Sequence, residues 1–476
     1  MPQFTKVFGL RPQCATTLRI IKFAGFSIFL SCFLTSANAA SIIVNAQLGA
    51  SGCDLAEAIE SANTDSNIGS CTRTGGSSQD TILLSPIIQD YSLGPFVLNF
   101  STVYGGTTLP DITSDITITG TLSQLQVISR PFGADNYRHF LVRHGGHLTL
   151  KNLALRGGEL SQFNGGAIYI FCGGEVVLED VELSGNRASG GGAIFLNGSC
   201  ADTPPRLTAY RSAFHNNTAR GNASNGGLGG AILQEVNNSA VIFDSTISNN
   251  QSLDSGGGLA ISGTPNTTLA LINTTVTENT AATQGGGIWV FTGNSTAANS
   301  LTMRNSIISG NSAGEDGHEV WVRNTATLQS ASLYNNVLGT NAVTYSQATN
   351  LSEFLSDNIL MTSNTADSKP LEQIIGPLQD NGGPTLSHEL TPSSPALNTG
   401  VDFEIGGSFP IFLSFAGCRG TTAILGTETD YRPDQRGESR PIGEACDIGA
   451  IESKFGESDT CFVVPTAGTK AVVFCL

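Results

Sequence analysis

Six blocks between Leu150 and Asn311 repeat one pattern: LKNLALRGG from Leu150, LEDVELSGN from Leu178, AYRSAFHNN from Ala209, IFDSTISNN from Ile242, LINTTVTEN from Leu271 and MRNSIISGN from Met303. Their starts lie 28, 31, 33, 29 and 32 residues apart, and five of them are followed by a glycine-led strand, GGAIYI from Gly165, GGAIFL from Gly191, GGAILQ from Gly229, GGGLAI from Gly256 and GGGIWV from Gly285. Self-similarity at such a period is the signature of a solenoid, in which each unit buries its apolar stripe only against its neighbours.

The columns of the stack give the geometry. Column one (Leu150, Leu178, Ala209, Ile242, Leu271, Met303) and column six (Leu155, Leu183, Phe214, Ile247, Val276, Ile308) are apolar, and the positions between are mostly polar or small, the period-two pattern of short strands. These columns are expected inside, with column-seven residues such as Ser248 outside and nearly indifferent to substitution. Column three holds Asn152, Asp180, Arg211, Asp244, Asn273 and Asn305 and marks a bend; column nine, Asn in five of the six blocks, is expected to take the left-handed backbone of a second corner. Three strands and three corners per repeat make one turn of a parallel β-helix, right-handed by the crossover rule. The fold class expected is therefore all-β: a right-handed parallel β-helix from about Asp80 to Gly339, with a short N-terminal capping helix and a disulfide-pinned C-terminal module.

These repeats resemble those of right-handed parallel β-helix proteins of the pectate-lyase-like class and of polymorphic outer-membrane and adhesin-type surface proteins. CDLAEAIESANT from Cys53 is similar to the Cys-(Ser/Thr)-Leu-Arg-Glu-Ala-Ile motif near the mature N-terminus of such proteins, with Ala56 where Arg is usual. DNGGPTLSHELTPSSPALNTG from Asp380, with DQRGESRPIGEACDIGAIE from Asp434, resembles a C-terminal choice-of-anchor module. The resemblance implies export and a β-helix.

The chain then divides into a signal peptide at 1–39, a cap with a short helix at 40–79, the β-helix at 80–346, the anchor-like module at 347–452 and a β-hairpin tail at 453–476. The first segment carries Lys6, Arg11, Arg19 and Lys22, an apolar run from Phe23 to Leu34 and the small-residue pattern Ala37-Asn38-Ala39. Its loss removes four positive charges from a formal −16, leaving about −20. Such a balance argues against nucleic acid and anionic membranes and disfavours a polyanionic substrate. After the signal peptide no stretch has the length and apolarity of a membrane span. An extracellular or cell-surface monomer is expected. The one amphipathic helix, with Leu55, Ala58, Ile59 and Ala62 on one face, is placed over the first coil, where strand edges would otherwise be open.

Eight cysteines remain in the mature chain, and by proximity they pair as Cys53 with Cys71, Cys172 with Cys200, Cys418 with Cys446 and Cys461 with Cys475. Each bridge closes a local loop and implies an oxidising compartment. No Cys/His spacing suits zinc, so no metal site and no cofactor is expected.

Chemistry must come from the outward rows. Column three stacks Asp180, Arg211 and Asp244, with His215 nearby on column seven; these are the candidate catalytic residues. By the resemblance, lyases of this class bind calcium through carboxylates and use a nearby Arg or Lys as base, and hydrolases use clustered Asp. The residues themselves favour structure: an arginine between two carboxylates keeps all three charged. Trp289 and Trp321 lie one coil apart, either gripping a sugar or partner or capping the apolar end of the helix. The function expected is display or adhesion, binding a polysaccharide or a surface protein; the alternative is a polysaccharide lyase or glycoside hydrolase working in an outer groove, with calcium required only there.

Overall fold

The structure is a computed structural model. It describes residues 39–476 except 77–78, 96–98, 102, 122–123, 201–202, 223–225, 264–265, 292–298, 324–327, 340–342, 346–357, 361–368, 402–432, 443–444, 456–460, 465–471 and 476. The expected signal peptide thus lies outside the described residues but for Ala39, as does Cys418.

Within these bounds the chain is a right-handed parallel β-helix with three sheets. The long sheet has 18 strands in two arms. One arm is the column-one row, running from Ala40–Val44 through Asp80–Leu84, Asp115–Thr119 and the block strands to Leu328–Tyr334; the other is the column-six row, which includes Ala213–His215, Thr246–Ser248 and Thr275–Thr277. The second sheet stacks the glycine-led strands, from Phe140–Val142 through Ile168–Phe171, Ile194–Asn197 and Ile232–Glu235 to Val343–Tyr345. The third is five two-residue strands, such as Arg187–Ala188 and Thr218–Ala219. Every block pairs in parallel with the next in the expected register: Leu178 faces Leu150 and Ala209, and Ile247 faces Phe214 and Val276. All twelve residues of columns one and six are fully buried in one continuous core, with Val176, Leu207, Ile168 and Ile194 filling it from other strands.

The parallel ladder begins before the helix. Ala40–Val44 pairs with Asp80–Leu84, and the helix Leu55–Asn63, N-capped by Asp54 accepting from Glu57 N, buries Leu55, Ala58, Ile59 and Ala62 against the first coils. The bridge Cys53–Cys71 (Cα separation 4.5 Å) pins this helix, and Cys172–Cys200 (5.9 Å) closes a loop on the second sheet. Cys446 is bonded as well, and Cys461 stands opposite Cys475 in an antiparallel hairpin.

The corners correct the expectation for the asparagines. Column three does bend through positive φ, from +42° at Asp244 to +57° at Asp180, with Arg211 at +46°. The left-handed residue of the next corner, however, is column eight (Gly185, Asn216, Asn249, Glu278, Gly310), not column nine. Column nine points inward instead. Asn186, Asn217, Asn250, Asn279 and Asn311 stack in the core, each Nδ2 donating to the next Oδ1 at 2.9–3.0 Å as far as Asn279 to Asn311, and each also donating to a main-chain oxygen of the previous coil. The buried amides need these partners, and stacking identical residues supplies them coil after coil. Glu319 ends the ladder, taking Asn311 Nδ2 at 2.6 Å.

Glycine is required at the start of the second sheet. Gly229 sits at φ +68°, and a methyl group on Gly230 would run into the carbonyl oxygen of Gly257 in the next coil.

The C-terminal segment does not trail away. It lies against the outward side of the long sheet's second arm. Ser248 Oγ meets His388 Nε2 at 2.9 Å, Thr246 Oγ1 donates to Gln435 Oε1 at 2.6 Å, and Ala450 N donates to Thr275 Oγ1 at 3.1 Å. A second apolar cluster forms there from Ile307, Val337, Ile374, Ile375, Leu390 and Ile448. Ser248, expected at the surface, is therefore fully buried.

Candidate functional site

Column three does not form the expected Asp-Arg-Asp stack. The αL bend at Arg211 aims its guanidinium back one coil, where Nε and Nη2 donate to both carboxylate oxygens of Asp180 at 2.8 Å and Nη2 also reaches Glu179 at 3.0 Å. Glu179 is shared with Lys151 at 2.7 Å. Asp244 faces the other way: it accepts from Asn273 Nδ2 at 3.0 Å and lies 3.4 Å from Arg440 Nε of the C-terminal module. Asp244 thus leaves the row because a residue far along the chain offers a buried countercharge. Arg440 is itself fully buried and also binds Glu452 at 2.9 Å.

Beside this row runs a groove of about 1030 Å³ between the coils and the C-terminal segment. Asn152, Arg156, Asp180 and Arg211 line one side, and Asp380, Pro384 and Arg436 the other. Asp244 and His215 do not line it. His215 is buried, 3.4 Å from Glu182, which also holds Arg156 at 2.8 Å. Of the four candidates, then, the groove takes Asp180 and Arg211.

The electrostatics of these groups oppose proton transfer. Burial works to lower the Arg211 pKa, but the hydrogen bonds and charges of Asp180, then Glu179, outweigh it and raise it above the usual arginine value. A base must give up its proton first, and this group is held against doing so. Glu182 is pushed up by burial, yet His215 and Arg156 more than reverse that and hold it at about 2, so it is no proton donor near neutrality. Glu179 is likewise lowered, burial being outweighed by Lys151 and Arg211. Both oxygens of Asp180 accept from Arg211, which occupies the carboxylate that a cation would otherwise share.

Glu179, Lys151, Glu182 and Arg156 complete the charged row and went unrecognised as site residues in the sequence. Their signal was available: they occupy columns two, five and seven, which register stacks beside column three. Arg440, the partner of Asp244, and Arg436, on the far wall of the groove, had no such signal, because they lie outside the repeat.

The aromatic row is the second finding. Trp289 and Trp321 pair in register and stack, ring centroids 5.8 Å apart and 8° from parallel. They do not cap an end of the helix. They belong to an outward row on the second sheet with Leu141, Tyr169, Phe195, Leu233 and Ala260, flanked by Tyr104, Phe171 and Phe291. At its N-terminal end the row opens into two cavities of about 480 and 700 Å³ that share Tyr104.

Residues 138–366 match a family model described as the right handed beta helix region. No curated protein matches the chain. Among solved structures, a crystal structure of pectate lyase Pel9A is similar over 78% of this chain and 88% of that one, at 14% identity and a TM-score of 0.38. Family match and coordinates agree on a right-handed parallel β-helix.

Proposed function

We propose that this is an exported β-helix protein that works by display, holding a polysaccharide or a partner surface against the outer rows of its coils without cleaving it. The observation that carries this reading is the two-point bond of Arg211 to Asp180, reinforced by Glu179, at the wall of the large groove. It spends the groove's best candidate base on its best candidate acid, and a bidentate charged pair of this kind is the strong form of such a contact. Two disulfides and the apolar N-terminal run support export.

The test is to incubate the mature protein with a panel of acidic and neutral polysaccharides, with and without calcium, following retention and new chain ends together. Retention without new chain ends is expected. Release of unsaturated or reducing ends that Arg211→Ala abolishes, with the fold intact, would transfer the function to a lyase or hydrolase.

A further inference from the structure

The cavity of about 480 Å³ on the second sheet is walled by aromatic rings but is not apolar throughout. Tyr104 meets Phe171 at 5.2 Å and Tyr169 at 5.9 Å, and Tyr169 meets Phe195 at 4.8 Å, with the ring planes 42–64° apart, so the rings form a faceted cluster that packs edge to face. Beneath them lies Arg138, fully buried. Its Nε and Nη2 donate to the main-chain oxygens of Gly165 and Asn164 at 3.2 and 3.0 Å and its guanidinium lies 5.2 Å from the Tyr169 ring centroid, but Nη1 has no hydrogen-bond partner among the described residues, and the guanidinium makes no salt bridge there. Asn164 Oδ1, also on the cavity, is a second buried polar atom without a partner. Across the cavity Asn197 Nδ2 donates to Glu235 at 3.2 Å, which leaves carboxylate and amide positions for a further partner.

A buried donor and a buried acceptor on one cavity, each without a hydrogen-bond partner, cost free energy that a bound molecule offering both kinds of group would recover. Sugar hydroxyls donate and accept at once, and the C–H faces of a sugar ring lie flat on aromatic rings. We propose that this cavity is a subsite for a neutral glycan, with one sugar ring resting on the face of Tyr104 and meeting the edge of Phe171, and its hydroxyls bonded to Arg138 Nη1, Asn164 Oδ1 and Glu235. The chain continues past Tyr104 into the neighbouring cavity of about 700 Å³, where Asn63, Thr113 and Arg143 supply polar groups. Both cavities fall in the size range of ordinary ligand sites, about 300–1,000 Å³. Tyr104 is the hinge of the pair, held from the other side by Arg143, 4.9 Å above its ring.

A neutral ligand suits the electrostatics better than a uronate. Burial raises Glu235 above the ordinary carboxylate value, so an anionic group placed beside it would be opposed rather than paired, whereas a hydroxyl can bond it without a countercharge. The formal charge of −16 adds a field that opposes a polyanion approaching this face.

This inference rests on the display reading and locates its glycan. The experiment is calorimetric titration of the mature protein with cellohexaose, xylohexaose and hexagalacturonate, repeated with Tyr104→Ala and Glu235→Gln. Arg138 is left intact because two of its bonds hold main-chain oxygens. A neutral hexamer should bind and the acidic one should not; Tyr104→Ala should weaken binding about tenfold or more and Glu235→Gln by a few-fold, with thermal unfolding unchanged. Neutral binding that survives both substitutions overturns the location and leaves the display reading standing. Binding of hexagalacturonate alone overturns the neutral-glycan assignment. Binding of no hexamer, while the polysaccharide panel still shows retention, overturns this subsite; loss of retention as well brings down both readings.

Discussion

In the blocks from Ile242 and Leu271 the outward residues on the second arm of the long sheet are small and hydroxylic, Thr246, Ser248, Thr275 and Thr277, and on the second sheet most are large, including Tyr169, Phe195, Trp289 and Trp321. Both rows are buried. The hydroxyl row is buried by another part of the chain, which bonds Thr246, Ser248 and Thr275 one by one and packs Ile374, Leu390 and Ile448 on the next coils. In the aromatic row Tyr169 meets Phe195 and Trp289 stacks on Trp321, ring centroids 4.8 and 5.8 Å apart, with Tyr104, Phe171, Leu228 and Phe291 packed against the row. Polarity along a strand therefore reports which side faces away from the solenoid's interior, not which side meets water. Small hydroxyl residues bond the covering segment directly, while the aromatic row packs through its rings and ends in open cavities beside Tyr104.

One continuous core lies under both faces, and the largest expected effects come from breaking it. Ile247→Asp places an unpaired carboxylate where columns meet at full burial, and it should abolish the cooperative unfolding transition by circular dichroism, a loss of about 5 kcal/mol or more. Asn250→Ala removes the middle of the amide ladder. Asn217 N and Nδ2 lose their acceptor, and Phe214 O and Asn279 Oδ1 lose a donor, so a loss of about 2–4 kcal/mol is expected in urea titration, with the slope of the transition unchanged.

The end of that ladder predicts a pH dependence. Burial lifts the Glu319 carboxyl from 4.5 to about 8 against three N–H donors from Gly310 and Asn311. The folded chain therefore holds a proton that the unfolded chain has released, so stability falls as pH rises from about 4.5 to 8. Asp447, raised to about 6 by burial, adds in the same direction. Glu182, held at about 2, works oppositely: its contribution is present above about 4.5 and is lost as pH falls towards 2. The melting temperature should peak near pH 5 and fall steadily from there to pH 8. Glu319→Gln should flatten the alkaline side; an unchanged slope there would remove Glu319 as its source.

The two faces differ most plainly at a single residue. Ser248→Ala deletes the contact to His388 and should cost about 1 kcal/mol while hastening proteolysis within residues 370–455, whereas a truly exposed serine would give no change in either.

How far the sequence could be read follows the same division. Columns one and six, the bend at column three and the pairs Cys53–Cys71 and Cys172–Cys200 were legible, since each depends on local spacing or on identity between neighbouring coils. The asparagine column was legible as a feature and misassigned by one position, because Asn suits both a left-handed corner and a buried amide stack; only the register shows that Asn249 takes the first role and Asn250 the second. The covering of Ser248 and the capture of Asp244 by Arg440 were not legible, because a repeat fixes contacts between successive coils and says nothing about which face a later, non-repeating segment will occupy. The candidate site followed suit: Asp180 and Arg211 come together because they are one coil apart, while Asp244 is lost to a partner outside the repeat.

The smallest effect probes that pair directly. Arg211 stands at φ +46°, a backbone region in which the same column elsewhere has Asn or Asp and in which a long side chain is disfavoured. Its side chain compensates through Asp180 and Glu179, so the position carries a backbone cost and a side-chain gain that substitution can separate. Arg211→Ala loses the gain, keeps the cost and leaves Glu179 and Asp180 without their shared arginine, and should destabilise by about 1–2 kcal/mol. Arg211→Asn loses the same ion pairs but accepts the left-handed backbone, and should recover about 0.5 kcal/mol of that by urea titration. Neither should alter binding of a neutral hexamer at Tyr104, which the charged row does not line. If Arg211→Asn is instead no better than Arg211→Ala, the bend carries no appreciable cost at this column, and the arginine's presence there needs no compensation from Asp180.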